Sequence, residues 1–223
     1  NSYNVAVGYE AGGAITTGTR NTLIGGSAGD ALNVGQRNVV IGTDALSADT
    51  QGSRAVAIGQ AALANQNFTS ATDNYNVAVG FQAGVNVTTG QLNTLIGGLA
   101  GDALTDADRN VAVGYGALSS DTLGWRSVAI GQAALGSQNF TTATSTYNVA
   151  VGHGAGENVT TGVQNTFIGG LAGDALNDAD FNVALGYAAL STDTLGSRSV
   201  AIGVNALGTQ NFTTATNSYN TAV

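Results

Sequence analysis

The sequence predicts an all-β chain, a parallel β-solenoid, on three observations. A nine-residue pattern, seen as NVAVGYGAL at 110–118, recurs from one end to the other: NVAVGYEAG from Asn4, NVVIGTDAL from Asn38, SVAIGQAAL from Ser127, NVALGYAAL from Asn182. The glycine that closes each short strand returns at a fixed spacing, and self-similarity at a fixed period marks stacked repeats. Between those glycines many positions fall into columns of recurring chemical character, as expected when similar coils lie on one another.

The spacing defines the coil. The closing glycines are Gly8, Gly25, Gly42 and Gly59, then Gly80, Gly97, Gly114 and Gly131, then Gly152, Gly169, Gly186 and Gly203. Their steps run 17, 17, 17 and 21, a cycle of 72 residues that also separates Asn4, Asn76, Asn148 and Asn220. The organisation expected is one repetitive segment, 1–223, made of units 1–72, 73–144 and 145–216 with the start of a fourth at 217–223. Parallel coils stacked about 4.8 Å apart would make a rod on the order of 60 Å long. Each fourth coil carries its extra four residues in QNFTSATDNYN, QNFTTATSTYN or QNFTTATNSYN, beginning at Gln66, Gln138 and Gln210. Ser, Thr and Asn clustered between periodic segments read as a surface loop or widened corner. Insertions of this kind in a solenoid fall on one face, often the binding face. Phe68, Thr69, Phe140, Thr141, Phe212 and Thr213 are therefore the first candidates for exposed receptor contacts.

Within the strand, side chains alternate between faces. Val111 and Val113 point one way and Ala112 the other; elsewhere the outer pair is Thr94 and Ile96, Val128 and Ile130, or Val183 and Leu185. The middle column is mostly Ala, with Leu23, Val40, Leu95 and Phe167 as larger members. Both faces are apolar, which fits a strand buried on both sides. Three residues after each glycine stands an alanine, from Ala11 to Ala206, a column with room for nothing larger. The next position is Leu or Gly, as in Leu118 and Gly101. The glycine itself signals a backbone bend or a positive φ.

A lone coil of this kind buries little. Each Val or Leu contributes about 1.5–3 kcal/mol on burial, against about 1–2 kcal/mol of backbone entropy per ordered residue. The expectation is a homotrimer, with the apolar Ala face of each strand packed against two partners around a common axis.

The polar columns are repetitive too. Asn precedes most strands (Asn21, Asn93, Asn165) and gives way to Ala55, Ser127 and Ser199 in the fourth coils. An in-register ladder of amides explains it. One position earlier stand all six arginines, Arg20, Arg37, Arg54, Arg109, Arg126 and Arg198, in the column of Tyr3, Tyr75, Tyr147 and Tyr219. Guanidinium stacked on ring at a corner is the expected arrangement, and an exposed receptor-contacting stripe is the alternative.

Composition excludes several classes. Charged residues are 9% and hydrophobic ones 43% of the chain, the reverse of a disordered sequence. Fourteen acidic residues against 6 arginines leave a net charge of −8, which argues against nucleic acid. With no cysteine there is neither a disulfide framework nor a Cys-based metal site. No apolar run is long enough for a membrane span. The chain has no signal peptide and no initiator methionine, and NSYNVAV and NSYNTAV open and close it in one phase of the pattern. It reads as a window from a longer protein or a mature fragment.

Little chemistry competes with this architecture. Alternating carboxylates in DALTDAD and DALNDAD (Asp102, Asp106, Asp108; Asp174, Asp178, Asp180) could ligate calcium, although they lack the glycine and terminal Glu of an EF-hand loop. The alternative is a solvated acidic turn. His153 occupies the column of Tyr9 and Phe81 and has no nucleophile arrangement around it. Gly-Gly pairs at Gly25, Gly97 and Gly169 lack the lysine of a phosphate loop. The Asn-x-Thr sequons at Asn67, Asn86, Asn139, Asn158 and Asn211 matter only in a glycosylating pathway. No enzyme is expected, and no cofactor beyond the calcium alternative.

NTLIGGLAGDAL, NVAVGYGALSSDTLG and SVAIGQAAL resemble the repeats of phage and large-virus tail fibres and related bacterial surface proteins. They are also similar to the head repeats of trimeric autotransporter adhesins. The resemblance implies a left-handed trimeric β-roll and a non-enzymatic extracellular role on a virion tail fibre or a bacterial cell surface. It further implies attachment to a host glycan or protein receptor. The coils here are longer than the adhesin-head repeat. An autotransporter head, or a repeat of a longer self-assembling filament, is the alternative. An ice-binding solenoid is disfavoured, because Thr88, Thr89, Thr160 and Thr161 recur only once per 72 residues.

Overall fold

A computed structural model describes residues 2–223. The thirteen short strands of the main sheet lie where the repeat spacing puts them, and no helix forms among the described residues. The chain divides into two compact units, one ending at Asn110 and the other Val111–Val223, so that the division falls inside the second 72-residue repeat.

The first unit stacks Val5–Val7, Thr22–Ile24, Val39–Ile41, Val56–Ile58, Val77–Val79 and Thr94–Ile96 as parallel neighbours. Register follows the repeat: Val39 lies beside Thr22 and Val56, and across the longer coil Val56 lies beside Val77. The second unit repeats this with Val111–Val113, Val128–Ile130, Val149–Val151, Thr166–Ile168, Val183–Leu185, Val200–Ile202 and Thr221–Ala222. The structure is a parallel β-solenoid with one strand of the main sheet per coil.

The two strand faces are not equivalent, and here the structure corrects the sequence reading. The middle column, Leu23, Val40, Ala57, Ala78 and Leu95 in the first unit and Ala112 through Phe167 to Ala201 in the second, points into the coil and is fully buried. The Ala face is therefore core and is closed to any partner chain. The outer pair of each strand, such as Thr94 and Ile96, faces outward and is only half-buried or exposed. Alternation shows that two faces exist, but only the path of the coil decides which one the chain wraps.

The interior is filled by compensation between columns. Where the middle residue is Ala or Val and the turn can spare the room, the position four after the glycine is a leucine pointing inward: Leu46, Leu63, Leu118, Leu135 and Leu190, all buried. Where Leu or Phe occupies the strand, glycine replaces it. A Cβ on Gly84 or Gly101 would stand 2.6 or 2.7 Å from the Leu95 methyl groups, and one on Gly173 2.5 Å from the Phe167 ring. The leucines adopt the left-handed backbone, Leu46 at φ 49° and Leu135 at φ 48°. That conformation costs roughly 1–2 kcal/mol for a residue with a Cβ, and full burial of the side chain offsets it.

The Asn column forms the expected ladder. In the first unit Asn38 N donates to Asn21 Oδ1 at 2.9 Å, and Asn38 Oδ1 accepts from Ala55 N at 2.8 Å. The Asn38 amide donates to Gly52 O at 2.9 Å, in the next coil. Asn148, Asn165, Asn182 and Ser199 repeat the chain of bonds in the second unit. Asn38→Ala removes two bonds and leaves Ala55 N–H and Gly52 C=O buried without those partners. The expected loss is at least about 2 kcal/mol, read by chemical denaturation; a change within about 0.5 kcal/mol would show that the ladder carries no stability.

Each fourth-coil insertion adds a two-residue strand: Thr72–Asp73 beside Gly52–Ser53, Thr144–Ser145 beside Gly124–Trp125, and Thr216–Asn217 beside Gly196–Ser197. The insertion is thus a widened corner with its own small sheet.

Candidate functional site

The surface that the fold builds most consistently is the outward strand face. In the first unit Val5, Val7, Ile24 and Ile96 stand on it, and in the second Ile130, Ile168 and Leu185, each more than a third exposed. The residue after each closing glycine extends the face with exposed rings at Tyr9 and Phe81, then Tyr115 and Tyr187. His153 is exposed in the same column. No charged residue occupies a strand position on this face in either unit. Large contiguous apolar patches are uncommon on the surface of monomers, and where they occur they often mark interaction sites.

Along the opposite edge of each strand runs the Arg and Tyr column, in the left-handed conformation from Tyr3 and Arg20 to Tyr219. The stacking expected of it is present. Arg54 lies 5.3 Å from the Tyr75 ring centre, Arg126 5.5 Å from Tyr147, and Arg198 4.5 Å from Phe181.

The insertion residues divide into two sets. Thr69, Thr141 and Thr213 are exposed at the corner, as expected. Phe68 and Phe140 are not: they are 5% and 6% exposed, and Phe212 is half-buried in the last coil. The rings anchor the corner from inside, so any contact made there falls to the threonines.

What holds those rings is a buried carboxylate that the sequence reading passed over. Asp49 Oδ1 accepts from Gly52 N at 2.9 Å and from Phe68 N at 3.1 Å, while Oδ2 accepts from the Gln66 amide at 2.7 Å. Gln66 Oε1 in turn accepts from Asn76 Nδ2 at 2.8 Å. Asp121 with Gln138 and Phe140, and Asp193 with Gln210 and Phe212, repeat the arrangement. A periodic signal was there. Seven residues after each glycine the core column reads Ile15, Leu32, Asp49, Gln66, then Val87, Leu104, Asp121, Gln138. Two apolar members alternate with an adjacent Asp–Gln pair.

Burial pushes the Asp49 and Asp121 carboxyls above their ordinary range, outweighing the hydrogen bonds that favour the charge. Asp102 and Asp174 shift the same way, again through desolvation. A carboxyl that binds its proton more tightly folded than unfolded stabilises fully below the unfolded value, and this is lost as pH rises through the folded value. The unfolding midpoint is therefore expected to rise on acidification from neutrality toward about pH 4. A steady fall over that interval in a pH series of thermal melts would contradict it.

The acidic turns are distributed, not convergent. Thr89 Oγ1 donates to Asp106, Gln91 N to Asp108 at 2.7 Å, Thr161 Oγ1 to Asp178 at 2.5 Å and Val163 N to Asp180 at 2.8 Å. One carboxylate oxygen each on Asp102 and Asp174 is buried without a hydrogen bond. Among the described residues no three His, Asp or Glu side chains gather as a group able to hold a metal.

By its fold the chain is a parallel β-solenoid. No family model, curated protein or solved structure matches it. No helix among the described residues is long and apolar enough to cross a membrane.

Proposed function

We propose that this chain is a non-enzymatic segment of an extracellular fibre, a left-handed homotrimeric β-roll that presents a host- or surface-binding face on a virion tail fibre or a bacterial cell. The observation that carries the proposal is the outward Val/Ile face. It is uncharged in every coil, Val, Ile or Leu apart from Thr22, Thr94, Thr166 and Thr221, and half-buried to exposed within the chain. Strands of three residues make this face a narrow stripe. Packing three such stripes around a common axis covers each one against two neighbours and leaves the Arg/Tyr column and the threonine corners outside. Assembly thus uses the Val/Ile face, in place of the Ala face the sequence suggested. The resemblance to tail-fibre and adhesin-head repeats supports the same assembly.

The experiment is a charge placed on the stripe. Ile168→Glu puts a carboxylate at a position already 40% exposed in the single chain, so the coil itself tolerates it. The variant is expected to run as a monomer with an unchanged circular dichroism spectrum. A variant that keeps the oligomeric state of the parent would remove the Val/Ile face from the account.

A further inference from the structure

The first repeat holds a concentration of positive charge that its role as a corner does not explain. The chain carries a net charge of −8 and has only 6 basic residues, all arginine. Three of them, Arg20, Arg37 and Arg54, each lie two residues before strand positions that pair in register, Thr22 beside Val39 and Val39 beside Val56. They therefore stand on three successive rungs, about 4.8 Å apart, where like charges directly opposite destabilise a sheet. In the second repeat the column reads Tyr75, Leu92, Arg109, Arg126 and in the third Tyr147, Gln164, Phe181, Arg198, so a run of three arginines belongs to the first repeat alone.

One of the three is offset: Arg54 pairs with Asp73, its Nε 2.9 Å from Asp73 Oδ1, although without an aligned hydrogen bond. Among the described residues no carboxylate lies within ion-pair distance of Arg20 or Arg37. The ladder also borders a cleft of about 320 Å³, lined by Gln36, Arg37, Ser53, Arg54, Thr72 and Asp73. The cleft arises from the insertion. The added strand Thr72–Asp73 pairs with Gly52–Ser53, while the coil below, at Gln36 and Arg37, has no such addition. The cleft thus gathers two guanidinium groups, the Asp73 carboxylate paired with one of them, an amide and two hydroxyl-bearing residues.

We propose that this cleft and ladder bind the carboxylates of a linear uronic-acid saccharide. Guanidinium groups take carboxylates in a bidentate manner. A polyuronate carries one carboxylate on each ring and so can present successive charges to successive rungs. Its hydroxyls meet the Gln36 amide and the Ser53 and Thr72 hydroxyls. The negative charge elsewhere on the chain repels polyanions that lack this local match. The binding belongs to the first unit alone and is measurable whatever the oligomeric state.

The test is calorimetric titration of the full chain with oligogalacturonate at low ionic strength. Binding is expected, weakening as salt is added. Arg37→Gln and Arg54→Gln are each expected to weaken it at least about tenfold. Glutamine at Gln164 already occupies this column with the same backbone conformation, so these variants keep the fold. Arg198→Gln should bind as the parent does. A neutral oligosaccharide of equal length should give no heat. The proposal is overturned by any of three results: no binding of oligogalacturonate, parental affinity in Arg37→Gln, or equal binding of sulfated dextran.

Discussion

Gly42→Ala is expected to destabilise the first unit by about 3 kcal/mol or more, enough to unfold it or to leave it aggregated. Gly42 closes the strand Val39–Ile41 at φ 137°, a region that L side chains rarely adopt. The next coil adds a second obstacle: a Cβ at Gly42 would stand 2.4 Å from the carbonyl oxygen of Gly59. That oxygen is backbone, held in the stack by the paired strands, and cannot swing aside like a side-chain end. The strain therefore spreads to the hydrogen bond from Gly42 N to Ile24 O, 2.8 Å long in the parent. Gly26 is the control. A Cβ there meets nothing within 4 Å, so Gly26→Ala should change stability by less than about 1 kcal/mol. Urea denaturation of the two variants side by side decides the matter, and equal stabilities would show that the closing glycine is dispensable.

The second large effect belongs to the buried carboxylate. Asp49→Ala withdraws the acceptor from Gly52 N–H, Phe68 N–H and the Gln66 amide together. Each buried donor left without an acceptor costs about 1–3 kcal/mol, and the expected total is about 3–5 kcal/mol. Asp49→Asn separates the contributions. It can keep the Oδ1 acceptor for the two backbone donors, but its new amide faces the Gln66 amide, donor against donor. Gln66 cannot simply rotate, because its Oε1 already accepts from Asn76. The Asn variant should fall between parent and Ala, and the corner beyond Phe68 should become the first site of proteolytic cleavage in both. Parental stability in Asp49→Ala would mean that the Phe68 ring alone holds the corner.

Much of this fold was legible because each column is sampled in every coil. The glycine spacing placed twelve strands of the main sheet and the 72-residue period the thirteenth, and the restriction to Ala three residues after each glycine matched a fully buried position at Ala28, Ala45 and Ala62. Asn21 and Asn38 form the ladder their column predicts. What stayed illegible has physical causes. Both strand faces are apolar, so alternation could not show that Ala112 is core while Val111 and Val113 face out. The compensation between Leu95 and its flanking glycines, Gly84 and Gly101, was the available clue to the inside. Phe68 sits in a Thr-rich stretch that reads as a loop tip, while its backbone N–H bonds to Asp49, one of an Asp–Gln pair in a column shared with Ile and Leu. Leu46 and Arg37 adopt positive φ without being glycine, and nothing in a single residue type announces that.

If the outward Val/Ile stripe is an assembly surface closed by three chains, the size of the molecule in solution follows. Light scattering coupled to size exclusion measures this most directly on the unmodified 223-residue chain. One species at three times the 22.0 kDa chain mass is expected, with no change on dilution through the micromolar range. A monodisperse species at 22.0 kDa would contradict it, because the stripe would then be exposed in the finished molecule.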